Sequence, residues 1–417
     1  MKIILVVGTR PNFMKVAPVL KAIEYHNGKG RRPKIEPLLV HTGQHYDRAM
    51  SESFFEDLGM PPPDINLSVG SGSHAEQTGK VMMAFEPVLQ RERPELVLVV
   101  GDVNSTLACT IAAKKLNIAV AHVEAGLRSG DMTMPEEINR KVTDCLADYF
   151  FTSEPSANEN LAAEGIQAGR IYFVGNVMID TLLDHRERAA ASTILDELDL
   201  REDRRIKPYG VVTLHRPSNV DSPGIFGEIC EALATLSKDL PLVFPCHPRT
   251  REKIRAFGFR HFGDGWTEEW NGIMLTPPLG YLDFLCLMAN AKIILTDSGG
   301  IQEEATILGV PCLTLRENTE RPITVLQGTN RIVGTDKNRI LQGFDSAMRE
   351  ANGRSRGPDK WDGRSAERII EILAKIGRMK FARFNVEMPI TTAGPHDATA
   401  LSGRELVTSN ELSNESG

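Results

Sequence analysis

A short apolar run ending in a polar cluster recurs along this chain, and that rhythm constrains the fold more than any other feature. KIILVV runs into Gly8-Thr9-Arg10, and PLLV into His41-Thr42-Gly43-Gln44-His45. LVLVV meets Gly101-Asp102, and IAVAHV meets Glu124. Further on, YGVVTL reaches His215-Arg216, PLVFPC reaches His247, and KIILT reaches Asp297-Ser298-Gly299-Gly300. Short runs rich in Val, Ile and Leu read as strands buried on both faces of a parallel sheet. Ligands of open parallel sheets sit outside the carboxyl ends of the strands. The distinctive polar residues fall at those ends.

The 417 residues leave room for about two or three domains. Apolar residues make up 41%, enough for substantial cores. A net charge of −7 argues against nucleic acid but allows a local basic pocket. The first apolar run stops at Gly8, too short for a signal-peptide core, and no run approaches membrane length. The 6 cysteines show no CxxC pairing and read as buried reduced thiols, which implies a cytoplasmic address.

Strands are predicted near 2–7, 35–40, 96–100, 118–123, 149–152 and 171–174. The spacing of Phe13, Val16, Ala17, Leu20 and Ile23 predicts a helix over Pro11–Tyr25; Ser105–Lys115 and Glu136–Leu146 read similarly. Gly175-Asn176-Val177-Met178-Ile179-Asp180 ends this first set. An amphipathic charged stretch from Thr181 to about Arg201 follows. The alternation then restarts, with strands near 209–214, 241–246, 273–275, 292–296 and 310–315. The predicted fold class is therefore α/β, with two Rossmann-like doubly wound domains, 1–175 and 176–360, facing across a cleft. Residues 351–360 read as a loop and Trp361–Leu373 as a final helix. The polar, aperiodic tail 378–417 reads as disordered.

Gly8-Thr9-Arg10-Pro11-Asn12 opens a helix directly after the first strand, where free amides and the helix dipole favour an anion. Lys15 adds charge further along. The turn is not GxGxxG, so nothing supports a nicotinamide cofactor. Ser298-Gly299-Gly300 before IQEEA is a second candidate: the glycines permit close backbone approach, and Ser298 can cap the helix while donating to a phosphate. Glu304 could accept from ribose hydroxyls, and Arg316 and Arg321 supply further positive charge. Asp102, Glu124 and Glu136 crowd the first sheet's ligand edge. Buried acids need partners, and Arg128, Arg140 and Arg10 are candidates, so these carboxylates read either as an ion-pair network or as acid–base groups. His215 and His247 end strands facing the cleft. His41 and His45 have no Cys or acid at zinc spacing apart from Asp47, so no metal site is expected.

With these motifs in hand, the chain closely resembles the non-hydrolysing UDP-N-acetylglucosamine 2-epimerases from Met1 to about Leu373. GTRPNFMKVAPV, HTGQHYD, GDVNSTLA, HVEAGLRSGD, PEEINR, GNVMID, HRPSN and TDSGGIQEEA…LGVPCLTLRENTERP carry the resemblance. It implies a glycosyltransferase-B-like fold, a homodimer, and a last helix, here 361–377, that returns to the first domain. It implies interconversion of UDP-GlcNAc and UDP-ManNAc without cofactor or metal: UDP is eliminated to leave 2-acetamidoglucal, then added back after a proton reaches the other face. Asp102, Glu124, Glu136 and His215 match the catalytic positions. Arg10, Lys15, Ser298, Gly299, Gly300, Glu304 and Arg321 match the UDP-binding ones. Gln44, Arg216 and His247 match positions that bind a second UDP-GlcNAc as activator, although HRPSN stands where the common segment reads HRREN. The alternatives are an epimerase of a modified UDP-acetamido sugar, a hydrolysing epimerase, a glycosyltransferase of the same fold, and a non-enzymatic sugar-nucleotide sensor. Production of a surface polysaccharide or related envelope glycan is one pathway such an enzyme would serve.

Overall fold

The computed structural model describes residues 1–43, 57–258, 272–350 and 357–386, with side chains as far as Met379. Seven strands form the first sheet: β1 (Lys2–Val7), β2 (Glu36–His41), β3 (Ile65–Asn66), β4 (Leu96–Val100), β5 (Ala119–Val123), β6 (Tyr149–Thr152) and β7 (Ile171–Phe173). A small antiparallel ribbon, β8 (Arg201–Glu202) and β9 (Arg205–Ile206), leads to the second sheet. That sheet holds β10 (Gly210–Thr213), β11 (Leu242–Pro245), β12 (Ile273–Thr276), β13 (Ile293–Thr296), β14 (Cys312–Thr314) and β15 (Asn330–Ile332). All neighbours in both sheets are parallel. Every residue of β4 is buried, as are Ile3–Val7 of β1, because helices cover both faces.

The sheet orders are β3-β2-β1-β4-β5-β6-β7 and β12-β11-β10-β13-β14-β15. The order reverses between β1 and β4 in the first sheet and between β10 and β13 in the second. At such a switch point adjacent crossovers leave on opposite faces, and a crevice opens at the strands' carboxyl ends. Gly8-Thr9-Arg10 and Gly101-Asp102 follow β1 and β4; His215-Arg216 and Asp297–Gly300 follow β10 and β13. The polar clusters that the sequence set apart therefore sit at the crevices of both sheets.

Helix Val177–Ala190 ties the halves together. It packs against helix Arg10–Gly28 on one side and helices Tyr281–Ala289 and Gly299–Leu308 on the other. One apolar core accordingly includes Leu5 and Val19 together with Leu182, Leu285 and Ile294. The final helix, Ser365–Val386, lies against helix Arg10–Gly28. Asp180 caps its start by accepting from the Ser365 and Ala366 amides at 3.1 and 2.7 Å. The chain entering that helix passes so close to Gly175 (φ +96°) that a Cβ there would lie 2.1 Å from the Lys360 carbonyl oxygen. GNVMID is thus a seat for the returning chain.

Several expected elements differ. The charged stretch Thr181–Arg201 divides between helix Val177–Ala190, the short helix Ile194–Glu197 and the start of the ribbon. The last helix starts at Ser365, after a turn at Trp361, and continues to Val386 into the span expected as tail; residues 387–417 lie outside the described residues. Strands β3 and β15 were not foreseen, since two and three residues are too few for an apolar run. All six cysteines are free, but Cys145 is exposed while the other five are buried. Among the described residues no helix is long and apolar enough to cross a membrane.

Candidate active site

The two crevices face one another and enclose a cleft of about 1020 Å³. Arg10, Lys15, Asp102 and Glu136 line it from the first sheet, and His215, Arg216, His247, Ser298–Gly300, Glu303, Glu304 and Arg321 from the second. Gln44 lies outside the described residues. Glu124 does not line the cleft; it stands behind Lys15 and Arg321.

On the first wall, Asn12 pins the β1 turn. Its Oδ1 accepts from the Gly8 and Thr9 amides at 3.2 and 3.0 Å, while its Nδ2 donates to the Val100 carbonyl at 3.0 Å. Lys15 then crosses Gly101, where a Cβ would meet its Nζ at 2.9 Å, and reaches Glu124 at 2.7 Å. Glu124 is held with φ +71°, a conformation disfavoured for a side-chain-bearing residue and typical of strained functional sites. Its other oxygen takes Arg321 Nη2 of the opposite half at 2.7 Å. Burial alone would raise the Glu124 carboxyl, but Lys15 and Arg321 hold it below the ordinary value, so it is ionised. Asp102 pairs with Arg140 at 2.6 Å, and Arg140 also pairs with buried Glu137 at 2.6 Å.

A fully buried group supports this wall from beneath. His122 on β5 bonds Asp144 at 2.6 Å and the Gly101 carbonyl at 2.8 Å, which fixes the turn that carries Asp102. Asp144 in turn pairs with Arg128 at 2.8 Å.

On the second wall, buried Asp297 accepts from the His215 and Arg216 amides at 3.0 and 2.9 Å, and its Oδ1 lies 2.9 Å from His215 Nδ1. This contact turns His215 Nδ1 towards the carboxylate and leaves Nε2 as the ring's reactive atom. Burial opposes the Asp297 charge, yet the His215 bond and these amides keep its carboxyl below the ordinary value. Glu320 binds Arg216 at 2.9 Å and Arg316 at 2.7 Å. Glu303 and Glu304, adjacent on helix Gly299–Leu308, are both pushed by burial up to about 7. Tyr281 donates to Glu304 at 3.1 Å.

Of the three arginines expected beside the acid trio, Arg140 pairs with Asp102, and with Glu137 besides. Arg128 pairs instead with Asp144 and Glu164, and Arg10 feels Glu304 and Asp57. Ser298 occupies the N-cap position of its helix, but its side chain makes no capping bond. Asp297, Glu303, Glu320 and the His122–Asp144 pair are site components that sequence reasoning missed. The sequence signal for Glu303 was its position beside Glu304: consecutive helical residues rarely both turn inward without cause. Among the described residues no group of three or more His, Cys, Asp or Glu side chains converges on a metal position.

Two Rossmann-like halves facing across such a cleft define the glycosyltransferase-B-like class of folds. Residues 29–374 match the family model described as UDP-N-acetylglucosamine 2-epimerase. A UDP-N-acetylglucosamine 2-epimerase homolog of Methanococcus maripaludis is 43% identical, covering 90% of this chain and 100% of its own. The UDP-2,3-diacetamido-2,3-dideoxy-D-glucuronate 2-epimerase of Pseudomonas aeruginosa is 39% identical, with coverage of 90% and 100%. The crystal structure of Methanocaldococcus jannaschii UDP-GlcNAc 2-epimerase in complex with UDP-GlcNAc and UDP superposes with a TM-score of 0.79 at 40% identity, covering 90% of this chain and 100% of that one. The chain belongs to the UDP-N-acetylglucosamine 2-epimerase family.

Proposed function

We infer that this protein is an isomerase that reversibly converts UDP-GlcNAc to UDP-ManNAc by eliminating UDP and adding it back. The observation that carries this reading is what faces across the cleft: the glycine-rich helix start Ser298–Gly300 with Arg321 and His215 on one side, Asp102 and Glu136 with Arg10 and Lys15 on the other. In the forward half-reaction a base removes the carbon-2 proton while the carbon-1 bond to the UDP oxygen breaks, giving 2-acetamidoglucal and UDP. In the return, a proton reaches the opposite face of carbon 2 and the UDP oxygen rebonds at carbon 1. A proton beside an acetamido group is barely acidic, so leaving-group stabilisation must assist its removal.

Arg10, Lys15, Ser298, Gly299, Gly300, Glu304 and Arg321 hold UDP in this account. Asp102, Glu136 and His215 exchange protons with the sugar, and Glu124 acts through the two cations it grips. Arg216 and His247, at one end of the same cleft, are suited to a second UDP-GlcNAc. The chain divides into domains at 1–175 and 176–360, the last helix completing the first. Exposed Ile138 and Val142, one turn apart beside Cys145 on helix Pro135–Leu146, suit burial by a second copy and hence a homodimer. A cytoplasmic enzyme supplying an envelope polysaccharide fits this reading.

A second reading rests on the Pseudomonas aeruginosa relative: the substrate is instead a diacetamido uronic acid linked to UDP. Purified protein given each UDP-sugar in turn separates them by NMR of the products. UDP-ManNAc from UDP-GlcNAc upholds the first reading. Free ManNAc as main product moves the chain to the hydrolysing class, and turnover of only the uronic acid selects the second.

A further inference from the structure

Arg321 is the most heavily contested cation of the cleft. Its side chain is 6% exposed, and it lies 2.7 Å from Glu124 Oε1 and 2.5 Å from Glu303 Oε1. The Glu303 contact is an ion pair off the N–H axis: among the described residues neither Glu303 oxygen, nor Arg321 Nε or Nη1, has a hydrogen-bond partner. Glu303 therefore neutralises Arg321 without saturating it, and leaves a buried donor, Nη1, unused at a residue that lines the cleft. A buried donor without a partner is costly, and an anion entering the cleft relieves that cost.

The incoming anion cannot be accommodated by Arg321 alone. Glu303 faces Arg321, Glu124, Lys15 and Glu154, with Glu304 adjacent on its own helix. A diphosphate would bring further negative charge into an interior already holding these carboxylates, where like charges cannot all remain ionised. The group best placed to give way is Glu303, which touches Arg321 with unaligned geometry and, among the described residues, accepts no hydrogen bond.

We propose that Glu303 couples diphosphate binding to proton uptake: the phosphate displaces its carboxylate from Arg321, and Glu303 then takes a proton from solvent and remains neutral while UDP is bound. Glu303 is a positioning residue, holding Arg321 ready in the empty cleft and releasing it to the ligand. The one bond formed is the O–H of Glu303, its proton leaving a hydronium or buffer acid in bulk solvent; no other covalent bond changes. That burial has already raised Glu303 to about 7 makes the step small near neutral pH. The proposal rests on the UDP-cleft reading given above.

Calorimetric titration of the full chain with UDP at pH 8, in buffers of different ionisation enthalpy, counts protons directly. Uptake approaching ~1 proton per UDP is expected, with affinity falling by up to about tenfold per pH unit above neutrality. Glu303→Gln should still bind UDP but lose most of that uptake, whereas Glu154→Gln, which removes another buried and raised carboxyl that does not line the cleft, should keep it. If Glu303→Gln does not fold, the wild-type count and the Glu154→Gln arm still decide. UDP binding without proton uptake, or uptake abolished by Glu154→Gln and kept by Glu303→Gln, would overturn the proposal while leaving the cleft reading intact. No UDP binding at all by the wild-type chain would overturn both.

Discussion

At the β4–β5 edge Asp102, Glu124 and Asp144 each sit within 2.6–2.8 Å of a basic side chain. At the start of helix Gly299–Leu308 the acids Glu303 and Glu304 are buried, more deeply than Asp102, and burial outweighs their partners and lifts both to about 7. One edge presents charges fixed in advance; the other presents carboxylates whose charge depends on what enters the cleft. An elimination with re-addition needs both: a rigid frame for proton transfer and a pocket that accepts UDP as it leaves and returns. The difference originates in partner geometry. Arg140 and His122 hydrogen-bond their acids and Glu124 holds two cations, Lys15 and Arg321, while Glu303 has only a share in Arg321.

Neutralising the fixed acids should have the largest effect. Asp102→Asn is expected to lose on the order of 10²–10⁴ in turnover while still binding UDP, and Glu124→Gln, which loosens Lys15 and Arg321, should lose turnover and UDP affinity together. Near-normal turnover in both would reduce this edge to a structural ion-pair network. Cutting the link between the edges comes next. Arg321→Met strands Glu124 and Glu303 without their shared cation, so chemical denaturation at pH 8 should show a loss of about 3–5 kcal/mol. A loss below 1 kcal/mol would mean the shared guanidinium does not join the halves.

The poised edge predicts a pH signature. Glu304 binds its proton more tightly folded than unfolded, so it favours folding below its unfolded value. That contribution is lost as pH rises from about 4.5 to about 7. Glu304→Gln should therefore flatten the fall in stability across this window; an unchanged slope would place Glu304 among the fixed charges. Gly300→Ala is subtler. A Cβ there meets only Met178 Cε at 3.7 Å, so the fold tolerates it, yet it occupies space needed by a phosphate. UDP affinity should drop about tenfold, or about 1.4 kcal/mol. At the small end, Lys21→Ala breaks the exposed 2.9 Å pair with Asp184 and should change stability by less than about 1 kcal/mol.

The sequence made the sheets readable because the Val- and Ile-rich runs of β1, β4, β5 and β13 are long enough to have no other plausible burial. Asp102, His215 and Ser298 could be set at the cleft end of their strands, because each follows such a run within two residues. The pairing between elements was not readable. Arg140 stands four residues from Glu136 and three from Glu137, and only the rotation of the helix selects Glu137. Asp297 looked like part of a phosphate turn, yet it reaches back across the sheet to orient His215, 82 residues away in sequence. Glu124 ends its strand as expected, but Lys15 and Arg321 converge in front of it from helices that no local pattern brings together.

If carbon 2 exchanges its proton with groups in this cleft while UDP is detached, UDP-GlcNAc converted in deuterated water should give UDP-ManNAc carrying solvent deuterium at carbon 2 by proton NMR, with deuterium also entering the recovered UDP-GlcNAc. UDP-ManNAc that keeps its original carbon-2 hydrogen would rule this exchange out.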